Sequence, residues 1–280
     1  MYLQIYHSAG YQNAVTSLKF ATNLLMKKYI LSCICFSILC GMSKLKAQSE
    51  KHEPHTATIG KVHIDMPAFD ERFNSYKEHF IEDLWALYPA WASSVGYHKY
   101  DNKLGIPDAK SRDRELAFCK AQADSLHSFK ISDLSDANKT DYFLIDNQLK
   151  YIEWGINEQR AFEWDPSGYN VSGGFADMLA NEYDKLDTRL TNFYEKMGAV
   201  PAYYEAAKNN IVNPTKEHTE LAIEQNLGGV SVFEKDLEEA LTKSGLDDAM
   251  KGKIRERAKT TIAAIKGFAD WLKNLNNAYP

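Results

Sequence analysis

The sequence predicts an all-α protein, a multi-helix array of antiparallel helical hairpins. Two observations predict it. Apolar residues recur at steps of three and four through most of the chain, as one helix face requires. No convincing run of strand alternation interrupts them. The stretches differ in length, so a solenoid of fixed period is not indicated.

The elements follow in order. Phe69, Phe73, Tyr76, Phe80, Leu84 and Leu87 mark a first amphipathic helix, stopped or kinked by Pro89. After an aromatic stretch and a loop through Pro107, a second helix spans roughly 112–129, with Leu116, Cys119, Ala123 and Leu126 inward. A third runs from about Asp136 to Gln159 on Tyr142, Ile145, Leu149, Ile152 and Ile156. Phe175, Leu179 and Tyr183 suggest a short helix, and Leu186 to Met197 another that Gly198 ends. Pro201 suits the first turn of the next. Asn213-Pro214-Thr215 breaks the chain, and Thr215 can cap the helix that follows. Gly228-Gly229 is expected to end that helix, with Ser231 and Glu234 forming a capping box for a new one. Gly245 closes it, and Asp247 opens a long final helix through Leu272.

The chain has 280 residues, 44% of them hydrophobic and 25% charged, as a globular protein has. Its charge is uneven. Residues 1–47 carry five lysines and no Arg, Asp or Glu, which leaves 28 basic against 38 acidic residues in the remainder. So acidic a body argues against nucleic acid as partner.

Lys27-Lys28 followed by the apolar run Tyr29 to Met42 has the form of an export signal over 26–47, with cleavage after Ala47. The run is too short for a comfortable membrane span, so no transmembrane anchor beyond the signal is expected. Cys40 follows Leu39, a poor setting for lipid attachment, and Cys33 comes too early in the run. Met26 is the expected start, with 1–25 an upstream extension; 48–66 is a flexible leader and 67–280 the helical domain. The expected location is the periplasm or beyond. Past residue 47 only Cys119 remains, which excludes an internal disulfide, and its apolar helical position marks it as core.

Glu163 to Gly174 is the densest cluster of turn formers. Pro166 fixes its own φ, the glycines relax the backbone, and Asp165, Ser167, Asn170 and Ser172 can close local turns. Trp164, Tyr169 and Phe175 anchor it. It reads as a packed elbow between helices or as a loop lining a cleft. Tyr97, His98, Tyr100 and Asp101 sit in a loop after an aromatic helix end, where polar groups can face a cleft. The candidate substrate-binding residues are therefore Tyr97, His98, Asp101, Tyr169 and Asn170; no catalytic and no metal-binding residue is assigned. His79 with Glu82, or His218 with Glu220, makes half a metal site at best. Metallopeptidase His-Glu-x-x-His helices, phosphate loops and nucleophile elbows are absent.

Leu-Tyr-Pro-Ala-Trp-Ala-Ser-Ser-Val-Gly-Tyr-His-Lys-Tyr-Asp, residues 87–101, resembles the start of the bacterial family called domain of unknown function 885. Trp164-Asp165-Pro166 with Tyr169-Asn170, Arg189-Leu190, Pro201-Ala202-Tyr203-Tyr204, Asn213-Pro214-Thr215 with His218, and Gln225-Asn226 with Gly228-Gly229 extend the resemblance. It implies an exported, all-helical, zincin-like metallopeptidase, with zinc expected for the full-length family and its hallmark His-Glu segment in a C-terminal half. That segment is not in this sequence, so no cofactor is expected in this chain by itself. On this resemblance the chain is the N-terminal part of a larger zincin-like fold, truncated at its C-terminus. It would shape a substrate cleft for peptides and have the missing C-terminal half as its partner. The alternative is a self-sufficient helical binding or scaffold module of the cell envelope.

Overall fold

The structure, a computed structural model, describes residues 68–278. The expected extension 1–25, signal 26–47 and leader 48–66 lie outside the described residues. Every regular element described is helical, and helices α1 to α11 pack as an array.

The first layer is α1 (Ala68–Leu87), α3 (Ala109–His127) and α4 (Asp136–Trp154), with α2 (Pro89–Ser94) as a short turn between α1 and α3. As expected, the first helix stops before Pro89, at Leu87, and Pro89 opens α2, where its missing N–H costs nothing. Asp108 caps α3 by accepting from the Ser111 N–H at 2.7 Å, and Ser135 caps α4. The Asp108 cap starts α3 three residues before the expected Arg112, whereas α4 starts at Asp136 as expected. Phe73, Phe80, Leu84, Cys119, Leu126, Tyr142, Ile145, Leu149 and Ile152 fill the layer. Cys119 is fully buried, and burial pushes its thiol up to about 12, as expected of a core residue. Asp70 pins α1 to α4, accepting from the Asn138 side chain at 2.8 Å and the Ser135 N–H at 3.0 Å.

A π-turn, Gly155–Gln159, ends α4, and Arg160 follows at φ 49°, ψ 40°. It is the one residue other than glycine at positive φ among those described. Left-handed backbone costs an ordinary residue roughly 1–2 kcal/mol. Here it turns the chain into α5 (Ala161–Trp164), a 3₁₀ turn at Pro166–Gly168 and α6 (Ser172–Ala180). Tyr183, expected on this helix, lies beyond its end.

The second core gathers α6, α7 (Leu186–Met197), α8 (Val200–Asn210), α9 (Lys216–Ser231), α10 (Leu237–Lys243) and α11 (Asp248–Ala278). The long α11 is its spine, and its Ile254, Phe268 and Leu272 share one core with Phe193, Tyr204, Phe233 and Leu237. Asp247 opens α11 as expected, accepting from the Met250 N–H at 2.7 Å.

Three expectations fail here. Gly228-Gly229 does not end α9, which runs to Ser231 and passes through a π-turn, Val232–Asp236, into α10. Ser231 caps nothing; it is helical and its hydroxyl donates to the Gly228 carbonyl at 3.1 Å. The glycines serve proximity. A Cβ on Gly229 would lie 2.2 Å from Ser172 Oγ, so its bare backbone lets the elbow press against α9. Thr215 stands at the N-cap of α9, but its hydroxyl meets His218 Nδ1 at 2.5 Å and no backbone N–H.

Candidate functional site

Tyr97, His98 and Asp101 come together where α2 runs into the 3₁₀ turn His98–Tyr100. Asp101 is 1% exposed. Its Oδ1 accepts from the Ser93 hydroxyl, and its Oδ2 meets His98 Nδ1 at 3.0 Å. The carboxylate thus stands between serine and imidazole. A serine nucleophile would need the imidazole at its hydroxyl, so this trio is no hydrolytic triad. Instead the imidazole is held at one nitrogen and clamped on its face, parallel to the Tyr183 ring at 3.5 Å. Nε2 remains as its other polar atom, on a side chain that is 29% exposed.

Tyr97 faces α1. Its hydroxyl and that of Tyr100 each donate to Glu82 at 2.5 Å, and the Lys99 ammonium pairs with the same carboxylate. The Lys99 bond first, then Tyr100 and Tyr97, hold Glu82 down at about 2. Glu82 is therefore a clamp on the turn, and His79 meets the Ser75 carbonyl at 2.6 Å. No group of three or more His, Cys, Asp or Glu that could hold a metal ion occurs among the described residues. These residues do not fit a zinc site, and no zinc-dependent step is assigned to them.

Two further residues of the cluster were not expected from sequence. Lys196 on α7 is 3% exposed and lies 5.4 Å from the centre of the Phe175 ring. Burial lowers its pKa, against the pull of Asp101 and Asp177. Burial, then Asp101, raises that of Tyr183. Lys196 sits beside Met197 on the stripe Leu190, Phe193, Met197, and a charge so close to an apolar stripe is the signal that could have marked it.

Tyr169 and Asn170 lie elsewhere, on the elbow, and no hydrogen bond or ring contact joins them to the His98 cluster among the described residues. Tyr169 is 5% exposed. Its hydroxyl donates to the Phe162 carbonyl at 2.7 Å and accepts from Asn210 at 3.1 Å. Asn170 Oδ1 takes both the N–H and the hydroxyl of Ser172, at 3.0 and 2.6 Å, and so closes the turn into α6. The elbow also serves its neighbours. The Glu163 carbonyl accepts from the N–H groups of Val212 and Asn213, and the Trp164 carbonyl from that of Thr215.

A family model, "Bacterial protein of unknown function (DUF885)", matches residues 89–279. Among solved structures the chain is similar to "a putative lipoprotein of unknown function from Shewanella oneidensis", with 42% identity and a TM-score of 0.71 over 73% of this chain. The chain spans 38% of the length of that protein. No curated protein matches. No helix among the described residues is long and apolar enough to cross a membrane.

Proposed function

Since this chain belongs to the bacterial DUF885 family, we propose that it forms the substrate-facing, non-catalytic wall of an exported zinc-dependent peptidase, working against further polypeptide of the same protein. The observation that carries this reading is an apolar stripe on the solvent side of α4. Phe143, Leu144, Tyr151 and Trp154 are 57%, 64%, 44% and 48% exposed. They lie within about 100° of one another around a helix of 3.6 residues per turn. Leaving such a stripe in water is unfavourable, by about 25 cal/mol per Å² of apolar surface, and contiguous patches of this kind mark places where other protein packs. A solved relative that extends well beyond the matched part supplies a reason for the stripe. The His98 ring and its neighbours would then bind and orient peptide, while the zinc expected for the full-length family would be held by residues other than those described. Export rests on the reading of residues 26–47 and on the description of the Shewanella relative as "a putative lipoprotein of unknown function".

A second reading, a self-sufficient helical binding module of the envelope, is favoured by the closed core around α11. Reading the gene beyond Pro280 and expressing the whole frame separates the two. A frame that continues into a His-Glu segment, with peptide hydrolysis that a chelator removes and zinc restores, supports the peptidase wall. A stop codon after Pro280, with a monodisperse protein that cleaves no peptide, overturns it in favour of the binding module.

A further inference from the structure

A cavity of about 240 Å³ opens at the seam between the two cores. The start of α3, the π-turn after α4, α5 and the end of α8 line it. Its apolar lining includes the half-buried Leu116 and Ile156, with the exposed Val212 at its edge. Its polar groups are Arg112, Asn157 and Asn209, with Asp113 and the pair Arg160–Glu163 also on the lining.

Arg112 is the informative residue. Its guanidinium lies 4.1 Å from the centre of the Phe162 ring. Nη1 donates to two neutral acceptors, the Pro107 carbonyl at 3.2 Å and Asn210 Oδ1 at 3.1 Å. Those bonds fix the plane of the group, and its charge acts on the nearby carboxylates of Glu115 and Glu163. The nearby Glu163 is engaged by Arg160 through both Nε and Nη2. A flat guanidinium stacked on an aromatic ring, held by neutral partners and facing a small pocket, is the arrangement that takes a carboxylate by a forked pair of hydrogen bonds.

The surrounding framework is built to hold that geometry. Tyr169 receives Asn210 and donates to the Phe162 carbonyl, so it ties together the two residues that position Arg112. Arg160, in its left-handed conformation, swings the chain from the π-turn into α5 and so brings Phe162 beneath Arg112. Strained backbone of this kind persists where its surroundings over-determine it, commonly beside a ligand site.

We propose that this cavity binds the terminal carboxylate of a short N-acylated amino acid or peptide. Arg112 takes the carboxylate, Asn157 and Asn209 take the neighbouring amide, and Leu116 with Ile156 takes one aliphatic side chain. The volume suits about one residue, below the roughly 300–1,000 Å³ of sites for larger ligands. The proposal deepens the peptidase reading by naming the end of the peptide that this wall would hold.

The test is calorimetric titration of the exported chain with N-acetyl-leucine and with N-acetyl-leucine amide. The acid should bind saturably and the amide at least tenfold more weakly. Arg112→Gln should abolish the preference. Because Arg112 also supports the fold, Asn157→Asp serves as a second variant on an exposed position. It should weaken the acid several-fold more than it weakens the amide, because the added charge repels only the acid, and keep the wild-type melt. Equal binding of acid and amide, or no saturable binding of the acid up to its solubility limit, overturns the proposal. Binding is read on this chain, which the wall reading expects to cleave nothing, and hydrolysis is read on the whole frame. Acid selectivity here with a whole frame that hydrolyses no peptide keeps the cavity and loses the peptidase wall; a hydrolysing whole frame with no acid preference in this chain does the reverse.

Discussion

Around α4, ten apolar side chains are buried in one cluster among the described residues; around α6 to α11 the cluster holds twenty-three. The two central helices differ on their outer sides. α11 turns Lys253, Arg255, Glu256, Lys259, Lys266 and Asp270 to water. α4 turns Phe143, Leu144, Tyr151 and Trp154 to water while Tyr142, Ile145, Leu149 and Ile152 face inward. One region has a finished surface, and the other has a second apolar face. The difference teaches that periodicity identifies a helix, while the character of its outer face says whether its packing is complete. The regions also use polar groups differently. The first pins α1 to α4 through Asp70, near the beginning of the described residues. The second threads a buried amide, Asn226, between the Tyr204 hydroxyl at 2.6 Å and the carbonyls of Tyr169 and Ala222 at 3.0 and 2.8 Å.

The largest test deletes one side chain from each core. Phe193→Ala should cost about 3–5 kcal/mol and Leu149→Ala about 2–5 kcal/mol, in urea unfolding followed by circular dichroism. Leu149→Ala is expected at the lower end, because a thin layer relaxes into the gap more readily. Equal losses would erase the distinction between the cores. Two separate transitions, with Leu149→Ala moving only the earlier, would make it sharper still.

The polar thread comes next. Asn226→Ala strands the Tyr204 hydroxyl and the Tyr169 carbonyl in the interior, at about 1–3 kcal/mol for a buried group left unpaired. A variant whose thermal midpoint matches the wild type would show that the second core holds without its amide.

Gly228 and Gly229 offer a contrast of sign. An added Cβ at Gly229 meets Ser172 Oγ at 2.2 Å and Cβ at 2.5 Å, whereas one at Gly228 meets nothing within 4 Å. Gly229→Ala should destabilise by about 1–3 kcal/mol through overpacking. Gly228→Ala should stabilise by up to about 1 kcal/mol through helix propensity. If both stabilise, the elbow is not pressed against α9.

The smallest effects are pH-dependent and belong to the first layer. Asn138, then the Ser135 N–H, lower the pKa of Asp70. Lys99, Tyr100 and Tyr97 hold Glu82 at about 2. Both folded values lie below the unfolded ones, so the stabilisation is complete above the ordinary carboxylate range of about 4 and is lost as pH falls through the folded value. Asp70→Asn and Glu82→Gln should therefore melt below the wild type at pH 7. The gap should narrow on acidification, for Glu82 between about 4.3 and about 2. A gap that stays constant with pH would mean that charge plays no part.

The sequence made the helices legible wherever packing and local chemistry agree. Asp247 and Pro201 mark starts, and Gly198 follows the last residue of α7, as expected. The family, too, was legible in short motifs spread from Leu87 to Gly229, and the match over 89–279 bears this out. Sequence misled where tertiary contact overrides local preference. Gly229 resembles a helix end and is a point of contact with Ser172. Of the candidate site, His98 and Asp101 could be paired from their spacing. Lys196 and Tyr183 reach them only through the packing of α7 and the loop before it. Arg112 lacks any motif, because its setting depends on Pro107, Phe162 and Asn210, brought together from three elements.

The π-turn at Val232–Asp236 has a consequence for inheritance. Such a turn amounts to one extra residue inserted into an α-helix. The wider turn takes up that residue, so removing one residue between 232 and 236 would leave a regular helix with Leu237 and Leu241 still turned to the core they now fill. The deletion would be felt inside the turn, where Val232 and Phe233 are buried. Relatives can therefore differ by one residue here and keep the same packing downstream.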